Sequence, residues 1–365
     1  MKRINPFKFG TVVDGLYFTN REKESARIKD IIDSPNHLIL ISPRRFGKTS
    51  LVKKVINSEK RKNIFIDLQL TNSAEDFAAI FLKEIYSIFP FEKIRDLIRN
   101  FKVIPSISLN PINNSVEVSF QADTEAKPIL KDVFNLAEQL SNPSQRLIVV
   151  LDEFQDMHRI GKGLDRILRA IIQNHKNINY IFMGSQESMM KEIFERKKSA
   201  FYHFGHLMYL DKIEQKHFCS FIAERLRDTC IDPETIATEI VGFTQGHPYY
   251  SQQLAYLTWN LAIQGVDEKC VVSQAITEMV QLHDLDYERL WLTLNKTDKK
   301  ILVGISIKEI QPLSIKGAAD LKISSASTIF SALKRLMKIG YIYKSKNIYE
   351  IDDPFFKQWI ISRRQ

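Results

Sequence analysis

Cysteine is scarce in this chain of 365 residues. Cys219, Cys230 and Cys270 are far apart and odd in number, so neither a disulfide framework nor a metal-binding spacing is present, and small buried side chains are expected. Apolar runs long enough to cross a bilayer are also missing, and the start Met1-Lys-Arg-Ile-Asn-Pro-Phe-Lys lacks the apolar core of a signal peptide. These absences predict a cytoplasmic protein with no membrane partner. Hydrophobic residues make up 44% and charged residues 26%, a soluble globular balance at a length that calls for two or three domains. The net charge of +9 is unevenly placed. From Trp291 onward 14 Lys and Arg face 6 Asp and Glu, a surplus of +8 that leaves +1 for the rest and points to an anionic partner for the basic tail.

What is present is concentrated near the amino terminus. Leu38 to Ile41 is an apolar run that predicts a buried strand, and Ser50 to Ile56 predicts a helix. Between them lies Ser42-Pro-Arg-Arg-Phe-Gly-Lys-Thr49, a phosphate-binding loop in the strand–loop–helix context that the motif requires. Backbone N–H groups across Pro43, Arg44, Arg45, Phe46, Gly47 and Ser50 are suited to cradle phosphate at a helix N-terminus. Lys48 reaches the β and γ oxygens and the Thr49 hydroxyl ligates Mg²⁺. Ser42 replaces the first glycine of the strict pattern, where a small residue with ordinary backbone angles suffices.

A second strand signal, Arg146 to Leu151, ends in Asp152 and Glu153. In a parallel α/β sheet ligands gather at the carboxyl ends of strands, so both acids are expected at the same crevice as the loop. Asp152 suits the Mg²⁺ contact and Glu153 the general base that orients an attacking water. A further strand, Ile178 to Met183, leads to Ser185 and Gln186. Ser185 is the candidate for sensing the γ-phosphate or holding the water, Gln186 the alternative, and a capping role before the helix Glu187 to Phe194 is compatible with either.

The remaining elements follow from periodicity. Strands are expected at Asn63–Leu68 and Leu207–Leu210, and helices up to Ile32, from Ser73 to Phe89 and from Lys127 to Leu140. Val103 to Gln121 alternates around Asn110–Ser115 and predicts a β-hairpin inserted between the second and third core strands. Glu214 to about Leu290 is helical, with a joint at Gly246-His-Pro248 where His247 serves as a polar joint residue. Asn295 to Ile351 predicts a winged helix. Thr297-Asp298 caps its first helix, Gly317–Leu321 is its second, and Ser324 or Ser325 caps its third. That third helix exposes Ser327, Thr328, Ser331, Lys334, Arg335 and Lys338, and the wing tip is Lys344–Asn347. Such a surface suits backbone phosphate of duplex DNA, although the helix's N-terminal half offers no Arg, Asn or Gln to base edges.

Taken together, the chain resembles the archaeal-type ATPases of the STAND class, a branch of the AAA+ P-loop NTPases. The resemblance rests on Asn5-Pro-Phe-Lys-Phe-Gly10, Phe18-Thr-Asn-Arg-Glu22, Pro43 to Leu51, Leu151-Asp-Glu-Phe-Gln155, Gly184-Ser185, Gly246-His-Pro-Tyr-Tyr250 and Asp353-Pro-Phe-Phe-Lys-Gln-Trp359. It implies an α/β P-loop sheet of order 5-1-4-3-2 over residues 1–211, an all-α lid over 212–290 and a winged helix over 291–365. It also implies ATP or ADP with Mg²⁺, Gly246 and Pro248 near base and ribose, and Arg21 and Glu22 by the adenine pocket. ATP rather than GTP rests on this resemblance, with which the lack of an Asn-Lys-x-Asp run agrees. No arginine finger is identifiable. Arg159, Arg166 and Arg169 are expected to be solvated, and Tyr202–His206 stands where relatives often carry Arg, which predicts slow turnover. Three functions remain open: a slowly hydrolysing ATP switch with protein, self-assembly or DNA output, a DNA-binding regulator tuned by nucleotide, and a non-hydrolysing adaptor that keeps ADP bound.

Overall fold

The computed structural model describes residues 4–109, 116–121, 125–308, 310–323, 325–345 and 348–364. Two units emerge: Arg21–Pro43 with Lys48–Leu210, and Met1–Asn20 with Arg44–Gly47 and Asp211–Gln365.

The first unit is built on β1 (Leu38–Ile41), β2 (Asn63–Asp67), an antiparallel hairpin of β3 (Ser106–Leu109) and β4 (Val116–Ser119), then β5 (Leu147–Asp152), β6 (Ile178–Gly184) and β7 (His206–Tyr209). The five core strands pair in parallel in the order β2-β5-β6-β1-β7. Counted as core strands this is the expected 5-1-4-3-2 arrangement. Every residue of β1, β5 and β6 is buried, as continuous apolar runs require when helices cover both faces of a parallel sheet. Helix Ala74–Ile88 starts where the Ser73 side chain accepts from the Asp76 N–H, and it buries Phe77, Phe81 and Ile85. The turn expected at Asn110–Ser115 lies outside the described residues. Helix Phe91–Ile98, which buries Ile94 and Ile98, has no counterpart among the sequence expectations. Its apolar positions cover only two turns, too few for periodicity to stand out.

At the amino ends of these strands His37 and His175 flank Tyr180. His175 Nδ1 lies 2.8 Å from the Tyr180 hydroxyl and His37 meets the same ring edge-on. Burial lowers both imidazoles to about 4, helped at His37 by Arg169 and His175. Both are therefore neutral in the fold and titrate near 6.5 once it opens, so the unfolded chain binds more protons between those values. Asp152, raised to about 6, opposes only one of the two. Thermal melts should show stability falling as pH drops from 6.5 towards 4. A melting temperature that stays flat over that range would contradict the buried neutral pair.

The second unit is helical, with helices Gln215–Leu226, Pro233–Thr244, Pro248–Ile263, Glu268–Leu282 and Asp284–Thr293. They are followed by Lys296–Ile307, Ile315–Asp320, Ala326–Lys338, the antiparallel pair β8 (Ile342–Ser345) and β9 (Ile348–Ile351), and Pro354–Arg363. The last helix explains the Asp353-Pro-Phe-Phe signature. Asp353 caps it by accepting from Phe355 and Phe356 N–H groups, Pro354 takes the first position, and Phe355, Phe356 and Trp359 are buried.

Two expectations change here. Asn295, not Thr297-Asp298, caps the first winged-helix segment, accepting from the Asp298 N–H at 2.9 Å. The Asp298 carboxylate is instead buried and takes two hydrogen bonds from Arg335, at 2.6 and 3.0 Å. Arg335 on the exposed face of helix Ala326–Lys338 is thus held by an internal fork–fork pair. Ser325 occupies the cap position of that helix without a side-chain capping bond, while Ser324 and the wing residues 346 and 347 lie outside the described residues.

Candidate functional site

The loop after β1 turns into helix Lys48–Ser58 through two residues of positive φ, Arg45 at 64° and Gly47 at 85°. Ser42 is not among the positive-φ positions, so the glycine of the strict motif is not needed there. Ser42 is buried, its N–H donating to the Gly184 carbonyl at the end of β6. Left-handed residues just ahead of a helix turn successive N–H groups to one side, which suits an anion.

Lys48 is buried, and its ammonium donates to the carbonyls of Ser42 at 3.1 Å and Pro43 at 3.3 Å. The Thr49 hydroxyl donates to Asp152 Oδ2 at 3.1 Å, bringing the loop helix to the end of β5. Burial and the adjacent Glu153 charge push the Asp152 carboxyl up to about 6, against the pull of Lys48. Hydroxyl and carboxylate oxygens together are a hard donor set that fits Mg²⁺, which keeps water or phosphate oxygens in its remaining positions. Among the described residues no group of three or more His, Cys, Asp or Glu could hold a metal alone, so such an ion depends on oxygens from the nucleotide and water.

Glu153 follows at φ 51° and ψ 46°, a left-handed conformation that costs a non-glycine residue on the order of 1 kcal/mol or more. Its Oε2 accepts from the Ser185 N–H at 3.1 Å, the Ser185 hydroxyl at 2.6 Å and Gln155 Nε2 at 2.5 Å. Burial alone would raise this carboxyl, but Lys48 and those donors outweigh it and hold it below its usual value. Ser185 therefore faces the acid, while Gln186 is the cap of helix Glu187–Phe194. Gln155, to which the sequence pattern assigns no role, is fully buried.

The other candidates are placed as follows. Arg21 is buried, at φ 76°, and donates to Glu24 at 2.8 Å, while Glu22 opens helix Glu22–Asp33 and is exposed. Arg44, Arg45 and Phe46 belong to the second unit. Arg45 donates to the Tyr250 hydroxyl at 2.7 Å and lies 4.8 Å from the Tyr249 ring centre. Phe46 packs edge-on against His247 and Tyr343. His247 caps helix Pro248–Ile263 and is buried, which lowers its imidazole. Arg159 is not a solvated helix charge: it donates to the carbonyls of Leu68, Gln69 and Thr71. Arg169 lies over the Phe204 ring, and Arg166 is exposed.

Gly246 has a backbone reason to be glycine. Its φ is 73°, and a Cβ there would come within 2.4 Å of the Ile213 carbonyl oxygen. Its own carbonyl accepts from the Ile213 N–H at 3.0 Å. Gly246→Ala should therefore cost roughly 1–3 kcal/mol, read as a lower denaturation midpoint. An unchanged midpoint would mean that this backbone is not held as described.

Lysine and threonine opening a helix at the carboxyl edge of this sheet, tied to the acid strand, are what P-loop ATPases use to bind a nucleoside triphosphate. The chain belongs to the family described as an ATPase domain predominantly from Archaea, whose model matches residues 18–254. A model of a probable winged helix domain matches residues 285–362. No curated protein sequence matches it. Among solved structures it is similar to the Walker-type ATPase PABY2304 of Pyrococcus abyssi, with a TM-score of 0.65 at 20% identity over 94% of this chain and 96% of the other. The Aeropyrum pernix ORC1 protein, solved in complex with DNA, gives 0.51 at 12% identity over 95% and 93%. The Aeropyrum pernix ORC2 protein, solved as ADPNP–ADP complexes, gives 0.50 at 15% over 99% and 98%. At such identities these likenesses concern the fold. Among the described residues no helix is long and apolar enough to cross a membrane.

Proposed function

We propose that the protein is an ATP-dependent switch that hydrolyses ATP slowly and passes its nucleotide state to the helical and winged-helix part of the chain. The observation that carries the reading is the Thr49–Asp152 hydrogen bond, which joins the phosphate loop to the acid strand beside Glu153. Lys48 binds the β and γ oxygens in exchange for the carbonyls of Ser42 and Pro43. Bound Mg²⁺, held through Thr49 and Asp152, would supply positive charge against the triphosphate. Glu153 orients water and takes its proton, and Ser185 holds Glu153. Slow turnover is supported by two of the three arginines after the acid strand, Arg159 being engaged with backbone carbonyls and Arg169 lying over an aromatic ring, while Arg166 is exposed. The roles implied for Arg21, Glu22, Gly246 and Pro248 in holding base and ribose belong to this proposal too.

Denaturing the purified protein and analysing the released nucleotide by mass, with turnover assayed in Mg²⁺, tests the reading. Bound ADP or ATP with slow hydrolysis is expected. No nucleotide and no turnover with ATP added would sink it, and bound ADP that never turns over would favour an adaptor.

A second reading is duplex DNA binding through the exposed Lys334, Lys338 and Lys344. Its support is the basic tail and the ORC1 likeness, and the Asp298–Arg335 pair counts against it. It requires steeply salt-dependent binding, and no affinity for duplex at low salt would remove it.

A further inference from the structure

The Gln155 side chain is fully buried, yet its carbonyl oxygen has no hydrogen-bond partner among the described residues. Burying an amide with half its capacity unmet costs on the order of 1–3 kcal/mol, and an apolar side chain of the same length would avoid that cost. At its other end Nε2 donates a 2.5 Å hydrogen bond to Glu153 Oε2. The reverse amide orientation would set a carbonyl against a carboxylate, so the donor end must face the acid. Room for the carbonyl end comes from Gly184, where a Cβ would lie 2.5 Å from that oxygen and 2.3 Å from Met190 Sδ.

A second feature sits beside it. Glu153 holds a left-handed backbone conformation, so its direction is not the one an ordinary strand end would impose. Three donors meet on Oε2: the Ser185 N–H, the Ser185 hydroxyl and the Gln155 amide. No hydrogen bond to Oε1 is found among the described residues. One oxygen of the carboxylate is thus saturated and fixed, and the other is left with its lone pairs for a water.

We infer that Gln155 is a positioning residue: its amide, with Ser185, anchors one oxygen of Glu153 so that the other is aimed at the attacking water. The inference rests on the proposal that Glu153 is the base of ATP hydrolysis, and it adds the group that orients it. With Ser185 as sole anchor the carboxylate is held by a single residue; the Gln155 amide adds a donor from a second residue to the same oxygen and opposes rotation about the last torsion. A misplacement of about 1 Å at a reacting group can cost 10²-fold in rate, so the anchor matters for kcat even though Gln155 never touches substrate.

The test is Gln155→Met in the full chain, a swap of similar length that removes the amide and suits an apolar site. ATP and ADP affinity and KM should stay within about twofold of the native chain while kcat falls at least about tenfold. Combined with Glu153→Gln, the change should add no further loss, because the group it orients is already disabled. Native or increased kcat, a matching rise in KM, or an equal additional loss on the Glu153→Gln background would each overturn the inference. Should the methionine variant not melt cooperatively, Gln155→Asn keeps the amide but withdraws it by one methylene and is expected to give the same fall in kcat. If the native chain itself shows no hydrolysis, the ATPase proposal fails. If Glu153→Gln stops turnover and the Gln155 variants do not slow it, only the positioning role fails.

Discussion

Glu153→Gln is expected to bind ATP as the native chain does and to hydrolyse it about 10²–10⁴-fold more slowly, the usual worth of a general base. The substitution keeps the shape of the side chain. Its carbonyl oxygen can take the place of Oε2 and accept from Ser185 and from Gln155, so the three anchoring hydrogen bonds survive. Its amide nitrogen then stands where Oε1 was, a donor where the water needs an acceptor. Binding should hold or tighten slightly, because the loss of the Glu153 charge removes a contribution that raises Asp152, leaving that carboxylate more fully ionised for the Mg²⁺ contact. Single-turnover assays with ATP retained on the protein check this. Hydrolysis at the native rate would remove Glu153 from its role, and an adaptor that never hydrolyses would show no difference between the two proteins.

The contrast between Glu153 and its neighbours shows what the chain reveals on inspection. Lys48, Thr49 and Asp152 were legible because their signals are local: an apolar run, a loop of fixed spacing, the start of a helix, two acids after a buried strand. The sheet order was legible through the family resemblance that those motifs carry. Pairings between distant residues were not. Asp298 read as part of a helix cap, since an acid at a helix start usually serves there, and the 37-residue separation from Arg335 hides the pair that they form. Arg159 read as a solvated charge, whereas its carbonyl partners stand in a turn about 90 residues earlier. Gln155 is the strongest example. A glutamine after an acid strand has no helical or strand periodicity to mark it, and only the packing shows its amide turned inward to Glu153.

Lys48→Ala should remove nucleotide binding almost entirely. Its ammonium is buried and donates to the carbonyls of Ser42 and Pro43, which keeps the charge hydrogen-bonded. In the proposed complex these contacts give way to phosphate oxygens, where a hydrogen bond between charged groups is worth about 1.5–3 kcal/mol. Two such contacts amount to about 3–6 kcal/mol, or roughly a 10²–10⁴-fold weaker dissociation constant. The alanine variant also leaves the two carbonyls without that donor, which should lower the stability of the nucleotide-free protein by about 1–2 kcal/mol. Calorimetric titration with Mg–ATP and thermal melts with and without nucleotide separate the two effects. The native chain should gain about 2.7 kcal/mol at a hundredfold excess of ligand over its dissociation constant, and the variant at most about 0.4 kcal/mol at the same concentration. If the variant loses only the smaller, nucleotide-independent part, Lys48 is a structural cation and the phosphate loop is not where nucleotide binds. Since the Thr49–Asp152 bond is untouched by this change, that outcome could not be blamed on a broken link to the acid strand.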